Sequence, residues 1–218
     1  MIRAIRHGAT AALIATLAAG CSSKGNPADE GPSALGIART ALAQVTAGRA
    51  RTAQPAAPTD PQAMAAEALA VNPGPLILAA LESMGTTQVL AMTGENNGMR
   101  TFMTMNEQAV ILRGFMLSGT RGLGHDLSVA EAAQSAALVA ARRSGTARRV
   151  MRYYSGDGLE RPIDFTCQIG PGPKPGVMVE DCAGHGIRFQ NSYLPGAGVS
   201  RQWAGPGLGY ITIQVLRN

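Results

Sequence analysis

Large ring surfaces and charge are scarce in this chain. Only 4% of the residues are aromatic, with one tryptophan, and 15% are charged. No stretch reaches the about 20 consecutive apolar residues that a spanning helix needs. Histidine and cysteine occur three times each, without C-x-x-C or H-x-x-x-H spacing, which argues against a zinc centre or any other metal site. No G-x-S-x-G nucleophile elbow is present. The glycines at Gly122-x-Gly124 and Gly205-Pro206-Gly207-Leu208-Gly209 do not close a strand and open a helix in a βαβ unit. They read as turns, so no nucleotide or other cofactor is expected. The net charge of +5 is mild and spread out, which excludes a basic nucleic-acid footprint and favours, weakly, an anionic polysaccharide or membrane surface.

What the chain does have is a patterned start. Met1 to His7 carries Arg3 and Arg6, Gly8 to Thr16 is mostly small and apolar, and Leu17-Ala18-Ala19-Gly20 precedes Cys21. A basic start, a short apolar middle and small residues before a cut are the parts of a secretory signal. The Leu-Ala-Ala-Gly-Cys stretch resembles the lipobox of bacterial lipoprotein precursors. That resemblance implies cleavage before Cys21 and acylation of its sulfur and new amino group. Several acyl chains would far exceed the marginal single-chain anchor, at about 0.8 kcal/mol per buried methylene. Ser22, rather than Asp, implies by the same resemblance sorting to the outer membrane, on its periplasmic face. Loss of residues 1–20 would leave 198 residues with a charge near +3, enough for one domain and a tether. Cys167 and Cys182 then remain. An even pair in an exported chain favours a disulfide, worth about 3 kcal/mol for a loop of about 15 residues; the alternative is two buried free thiols.

The organisation expected is a signal over 1–20, a tether with short helices over 21–72 and a β-rich body over 73–218. Ser22 to Pro32 has linker composition, and Ser33 to Val45 has some helical spacing. Asp60-Pro61 predicts a capped helix running to Val71. After Pro75 come strand candidates at Leu76–Leu81, Thr87–Met92, Met99–Met105 and Ala109–Leu117, with a turn over Gly94–Gly98. Ser128-x-x-Glu131 has capping-box spacing and predicts a surface helix from Val129 to Arg143. Strand patterns return at Arg149–Tyr154, Ile163–Ile169, Val177–Cys182, Ile187–Leu194, Val199–Ala204 and Tyr210–Leu216. The Val177–Cys182 run would pair back and set Cys182 across from Cys167. Short strands with glycine-rich turns predict a mainly β fold, an antiparallel meander curved into a half-barrel.

Ser200-Arg201-Gln202-Trp203 is the most distinctive segment. A tryptophan beside Arg and Gln can hold a pyranose face and its polar substituents, or Trp203 can plug the sheet while Arg201 pairs with an acid; the second reading is favoured. His125-Asp126 with Ser118 or Ser200 could form a triad, but no spacing enforces it. Asp157, Glu160, Asp164, Glu180 and Asp181 could supply a glycosidase pair, but acids near turns are usually solvated.

Several of these segments together resemble the YjbF-type lipoproteins, the group 4 capsule lipoprotein (GfcB) family. They are the lipobox, Gly74-Pro75-Leu76-Ile77-Leu78, Arg121-Gly122-Leu123-Gly124-His125-Asp126-Leu127, Cys167 and Cys182 followed by Phe189-Gln190-Asn191-Ser192-Tyr193, and Ser200-Arg201-Gln202-Trp203 with Gly209-Tyr210. The resemblance covers about two-thirds of the mature chain. It implies a β-rich periplasmic body and a role beside exopolysaccharide or capsule export, with no catalytic residue to carry over. The expected protein is therefore a non-enzymatic, lipid-anchored outer-membrane lipoprotein that holds glycan or docks on an outer-membrane secretion protein. A glycan hydrolase or lyase, and a structural envelope protein with a protein partner, are the alternatives. Arg121, Asp126, Ser200, Arg201, Gln202 and Trp203 are the candidate binding surface or structural knot.

Overall fold

Short alternating runs joined by glycine-rich turns can bury their apolar faces only by pairing with one another. The computed structural model describes residues 60–154 and 156–218, which belong to one compact unit, Ala57–Asn218. The expected signal, Cys21, the Ser22–Pro32 linker and the Ser33–Val45 helix lie outside the described residues.

The described residues form a helix α1 (Pro61–Val71), five strands β1 (Leu76–Leu81), β2 (Thr86–Asn96), β3 (Met99–Met103), β4 (Ala109–Arg113) and β5 (Met116–Arg121), and a short strand β6 (Val129–Glu131). There follow helix α2 (Ala133–Ala140) and strands β7 (Gly145–Tyr154), β8 (Glu160–Pro171), β9 (Met178–Gly184), β10 (Ile187–Leu194), β11 (Val199–Gly205) and β12 (Gly209–Arg217). All twelve strands join one antiparallel sheet in the order β5-β4-β3-β2-β1-β12-β11-β10-β9-β8-β7-β6. The curved antiparallel meander expected from the sequence is what forms.

The connection from β5 to β6 dictates how far the sheet curls. These strands stand at opposite ends of the order, yet only residues 122–128 link them. Seven residues span at most about 25 Å. Twelve strands laid flat at about 4.8 Å spacing would put the ends about 53 Å apart. The sheet must therefore roll until its ends meet, and it forms a nearly closed cylinder. At the seam Thr120 N donates to Leu127 O (2.9 Å), and Leu127 N donates back to the Thr120 hydroxyl (2.9 Å).

Inward-facing residues recur at period two and fill the cylinder: Ile77, Ala79 and Leu81 on β1, Phe165, Cys167 and Ile169 on β8, Ile211 and Ile213 on β12. Cys167 and Cys182 lie directly opposite each other on β8 and β9 and form a disulfide, with Cα atoms 4.0 Å apart. Helix α1 starts where Asp60-Pro61 predicts, with the Asp60 carboxylate accepting from Gln62 N (3.0 Å). Arg217 on β12 donates to the carbonyls of Leu69 (3.0 Å) and Asn72 at its other end, fastening the helix to the sheet.

Three expectations are corrected. Ala109–Leu117 is not one strand; Gly114-Phe115 turns it into the β4–β5 hairpin. The turn expected over Gly94–Gly98 is only Asn97-Gly98, both with positive φ (49° and 73°), the backbone of a tight hairpin turn, while β2 runs on through Asn96. The helix expected over Val129–Arg143 covers only Ala133–Ala140. Its capping box fails because both side chains are drawn elsewhere. Ser128 Oγ donates to Glu160, Glu131 pairs with Arg152 (2.7 Å), and Val129–Glu131 pairs with β7 as the last strand.

Candidate functional site

The six residues singled out from the sequence fall into two places. Arg121 and Asp126 hold the seam. The Arg121 guanidinium donates to the carbonyls of Thr120 (2.5 Å), Leu127 (3.1 Å) and Ser128 (3.2 Å), gathering both sides of the β5–β6 loop. Asp126 accepts from Gly122 N (2.8 Å), Leu123 N (3.2 Å) and the Thr120 hydroxyl (2.8 Å), so the loop is folded around its carboxylate.

Ser200 to Trp203 share β11 but do three different jobs. Gln202 is fully buried and crosses to the far edge of the sheet. Its Oε1 accepts from Leu117 N (2.8 Å), and its Nε2 donates to Phe115 O (2.8 Å) and Ser200 Oγ (2.9 Å). It thus ties β11 to the start of β5 across the interior. Arg201 faces outward, forks onto Glu82 with two 2.7 Å bonds, and lies 3.5 Å from the centroid of the Tyr210 ring. That hydrogen bonding with Arg201 holds the Glu82 carboxyl below its ordinary range.

Trp203 is 7% exposed. Beyond the Ser192–Arg201 pair β10 and β11 part, and Asn191 Oδ1 accepts the Trp203 amide instead (2.7 Å). The β11–β12 register slips between Trp203 and Gly205, which breaks the alternation and leaves Gln202 to Gly205 all buried. The indole stacks on Phe189 (centroids 4.4 Å apart) and meets Phe165 edge-on (6.0 Å). Its ring faces are occupied by protein, as the plug reading requires.

Beneath these lies a buried polar layer. Arg149, 1% exposed, forks onto Glu180 (2.8 and 3.2 Å), which is wholly buried. Tyr193 OH (2.8 Å) and Asn191 Nδ2 (2.8 Å) also donate to Glu180. Burial by itself pushes the Glu180 carboxyl up. The charge and hydrogen bonds of Arg149 outweigh it and hold the carboxyl below the ordinary range. Glu180 is thus neither solvated nor near a turn, a correction to the reading of the five acids. The pattern that marks it is period two: Met178, Glu180 and Cys182 share a face, as do Ala147, Arg149 and Met151. The other four acids are each engaged separately, Asp157 with Arg161, Glu160 with Ser128, Asp164 with Arg148, Asp181 with Gln190. The triad hydroxyls are engaged too, Ser118 with Ala130 O (3.4 Å) and Ser200 with Gln202.

At one end of the cylinder, the seam loop, the β7–β8 hairpin and the β11–β12 turn enclose a cleft of about 570 Å³. His125, Tyr153, Tyr154, Arg161 and Pro206 line it. That size falls in the range of small-ligand sites, about 300–1,000 Å³. Two glycines let its walls approach. A Cβ on Gly207 would sit 2.5 Å from the His125 side chain, and one on Gly205 would sit 2.8 Å from the Tyr153 ring. The Tyr153 hydroxyl donates to Ala204 O (3.0 Å), and burial pushes its ionisation upward, so it stays neutral. Tyr154 is 66% exposed. Of the residues lining the cleft the sequence reading singled out His125, as a triad member, and Asp126, as part of the candidate binding surface or structural knot. Tyr153-Tyr154 read there as the end of a strand.

A single antiparallel sheet rolled on a filled core, with a cleft at one end of the cylinder, defines a mainly β, barrel-like class of protein. Within it the family is specific. A family model described as "Group 4 capsule polysaccharide lipoprotein gfcB, YjbF" matches residues 38–216, and the chain belongs to that family. The fold is shared with the hypothetical lipoprotein YmcC from Escherichia coli (K12), at a TM-score of 0.57 and 14% identity, covering 87% of this chain and 98% of that one. No curated protein sequence matches.

Proposed function

We propose that this protein is an outer-membrane lipoprotein, anchored through acylated Cys21 after removal of residues 1–20, with its body facing the periplasm. There it assists the secretion or assembly of a capsule or exopolysaccharide without itself breaking or making glycosidic bonds. Residues 21–72 supply the reach from the membrane and the last helix before the sheet, and residues 73–218 do the work.

The observation that carries this reading is the family match over residues 38–216. The Leu17–Cys21 lipobox supports the anchor. Glu180, wholly buried in its ion pair with Arg149 and so out of a glycan's reach, supports a non-catalytic role.

Gene deletion tests the function: secreted polymer should fall and return with the wild-type gene, whereas unchanged polymer would refute the export role. Cys21→Ser tests the anchor. The variant should accumulate as an uncut, unlipidated precursor in fractionated cells; normal processing would end that claim.

A further inference from the structure

We propose that the end of the cylinder opposite the seam loop is a contact surface for anionic phospholipid headgroups, with Arg142, Arg143 and Lys174 facing the phosphates. The choice of a lipid rests on the anchor at Cys21; the surface itself rests on where the fold puts charge.

The sequence spreads its charge, and the fold sorts it. In an antiparallel meander successive connections alternate between the two ends. The connections at the seam end are 82–85, 104–108, 122–128, 156–159, 185–186 and 206–208. They carry Glu82, Glu107, Asp126 and Asp157, and neither Lys nor Arg. The connections at the opposite end are 72–75, 97–98, 114–115, 132–144, 172–177 and 195–198. They carry Arg142, Arg143 and Lys174, and neither Asp nor Glu. The connections at one end are therefore acidic and those at the other basic.

The three cations share one sector. Arg143-Ser144 leads into β7, whose Gly145 pairs with Ile169 on β8, and β8 runs on to Pro171 and the loop that holds Lys174. The Arg142 guanidinium reaches the β10–β11 loop, 3.7 Å from where a Cβ on Gly196 would sit. All three residues are exposed, and among the described residues none of their side chains makes an ion pair or hydrogen bond. Arg142 has a φ of 52° at the position after α2 where glycine is the usual occupant, so the chain keeps an arginine there against a backbone cost. The other charges at this end cancel. Glu95 pairs with Arg100. Glu67 on α1 and the carboxylate at Asn218 are offset by Arg113 and Arg217, which donate to backbone carbonyls of Asn97, Leu69 and Asn72 and so keep their charge.

Two observations favour a lipid surface over a polymer. Residues 72–75 lead into β1 at this end and Arg217 fastens the last turn of α1 there, so the chain running back to Cys21 joins the sheet on its basic side. The loops that hold the cations contain no aromatic ring on which a sugar could stack; prolines and small residues surround the charges. Guanidinium and ammonium groups both bind phosphate. Each one at an anionic surface favours the bound state by about five-fold, so three are enough to decide which end of a tethered body faces the bilayer.

The full chain, purified from membranes and reconstituted in vesicles, tests this. The vesicles are phosphatidylcholine alone, or an equal mixture with phosphatidylglycerol. The readout is acetylation of Lys174 by an N-hydroxysuccinimide ester, followed by mass spectrometry. Lys24 is the other lysine of the chain, so the Lys174 peptide reports this end alone. Lys174 should react at least about five-fold more slowly with phosphatidylglycerol present, and high salt should abolish the difference. Arg142→Gln with Arg143→Gln, both at the surface, should keep the melting temperature and remove most of the protection. Equal Lys174 rates in the two vesicles overturn the proposal, and so does protection that the double variant retains in full. Hyaluronate that protects Lys174 in neutral vesicles more than phosphatidylglycerol does would give the surface to a glycan and overturn the lipid. The mass of the amino-terminal peptide decides the anchor separately. An acylated chain whose Lys174 ignores phosphatidylglycerol keeps the anchor and removes the surface. An unacylated chain that phosphatidylglycerol protects keeps the surface and removes the anchor.

Discussion

Gln202 and Trp203 are neighbours in the chain and have opposite partners, and their truncation separates two kinds of cost. Trp203→Ala removes a buried indole from between Phe189 and Phe165, and should lower stability by about 3–5 kcal/mol, read from denaturant midpoints. Gln202→Ala leaves the buried Leu117 amide and Phe115 carbonyl without their partner, at about 1–3 kcal/mol for each group stranded. Its specific sign is local: the Leu117 amide should exchange with solvent faster than those of β8 and β9. An Arg201→Ala change, by contrast, loses an exposed ion pair with Glu82 and should cost within about 1 kcal/mol. The sequence supports the plug reading of Trp203 and the acid partner of Arg201, because lone tryptophans in sheets are more often packed than presented. It does not show Gln202 bridging to β5, because the contact joins residues 85 positions apart and depends on how far the sheet rolls.

Among the elements, the strands with clean alternation were legible and those near the seam were not. β8 and β12 declare their inner faces through Phe165-x-Cys167-x-Ile169 and Ile211-x-Ile213. The Ser128–Arg143 stretch misleads because a capping-box spacing and an alanine run suit a helix locally, whereas β7 offers a free edge that recruits Val129–Glu131 as a strand. The β8–β9 hairpin holds the disulfide, and its reduction should lower the stability by about 3 kcal/mol, the loop-entropy value for a 15-residue separation. Reduced wild type, and Cys167→Ala with Cys182→Ala, each compared with oxidised wild type in a thermal melt, check that figure. A much smaller shift would mean that strand pairing alone fixes the hairpin.

For the whole molecule, the buried Arg149–Glu180 pair sets the response to acid. The folded carboxyl is held below its unfolded range of about 4.3. Its contribution is complete above that range and is lost as pH falls through the folded value. Glu82 shifts in the same direction but is 38% exposed and adds less. The melting temperature should therefore be level near neutrality and fall below about pH 4. Glu180→Ala should lower it at all pH values, by about 3–5 kcal/mol in stability, because Arg149 is left charged and unpaired in the core, and should flatten the acid limb. A variant melting like wild type would show that the pair does not hold the cylinder. Barrel closure itself was only partly readable: a curved meander follows from the strand pattern, but that β5 meets β6 follows from a β1–β12 pairing between opposite ends of the described chain, on which local periodicity is silent.

The seam has a further effect on how copies of the molecule treat each other. An unpaired strand rim is where sheets of separate chains fuse and begin to aggregate. On β5 the amides of Leu117 and Thr120 are already taken, by the Gln202 amide oxygen and by Leu127, and the opposite rim is a three-residue strand running into α2. Crowded on a membrane surface, such a body resists polymerising through its backbone, and contact between neighbours falls to the side chains on its outer wall.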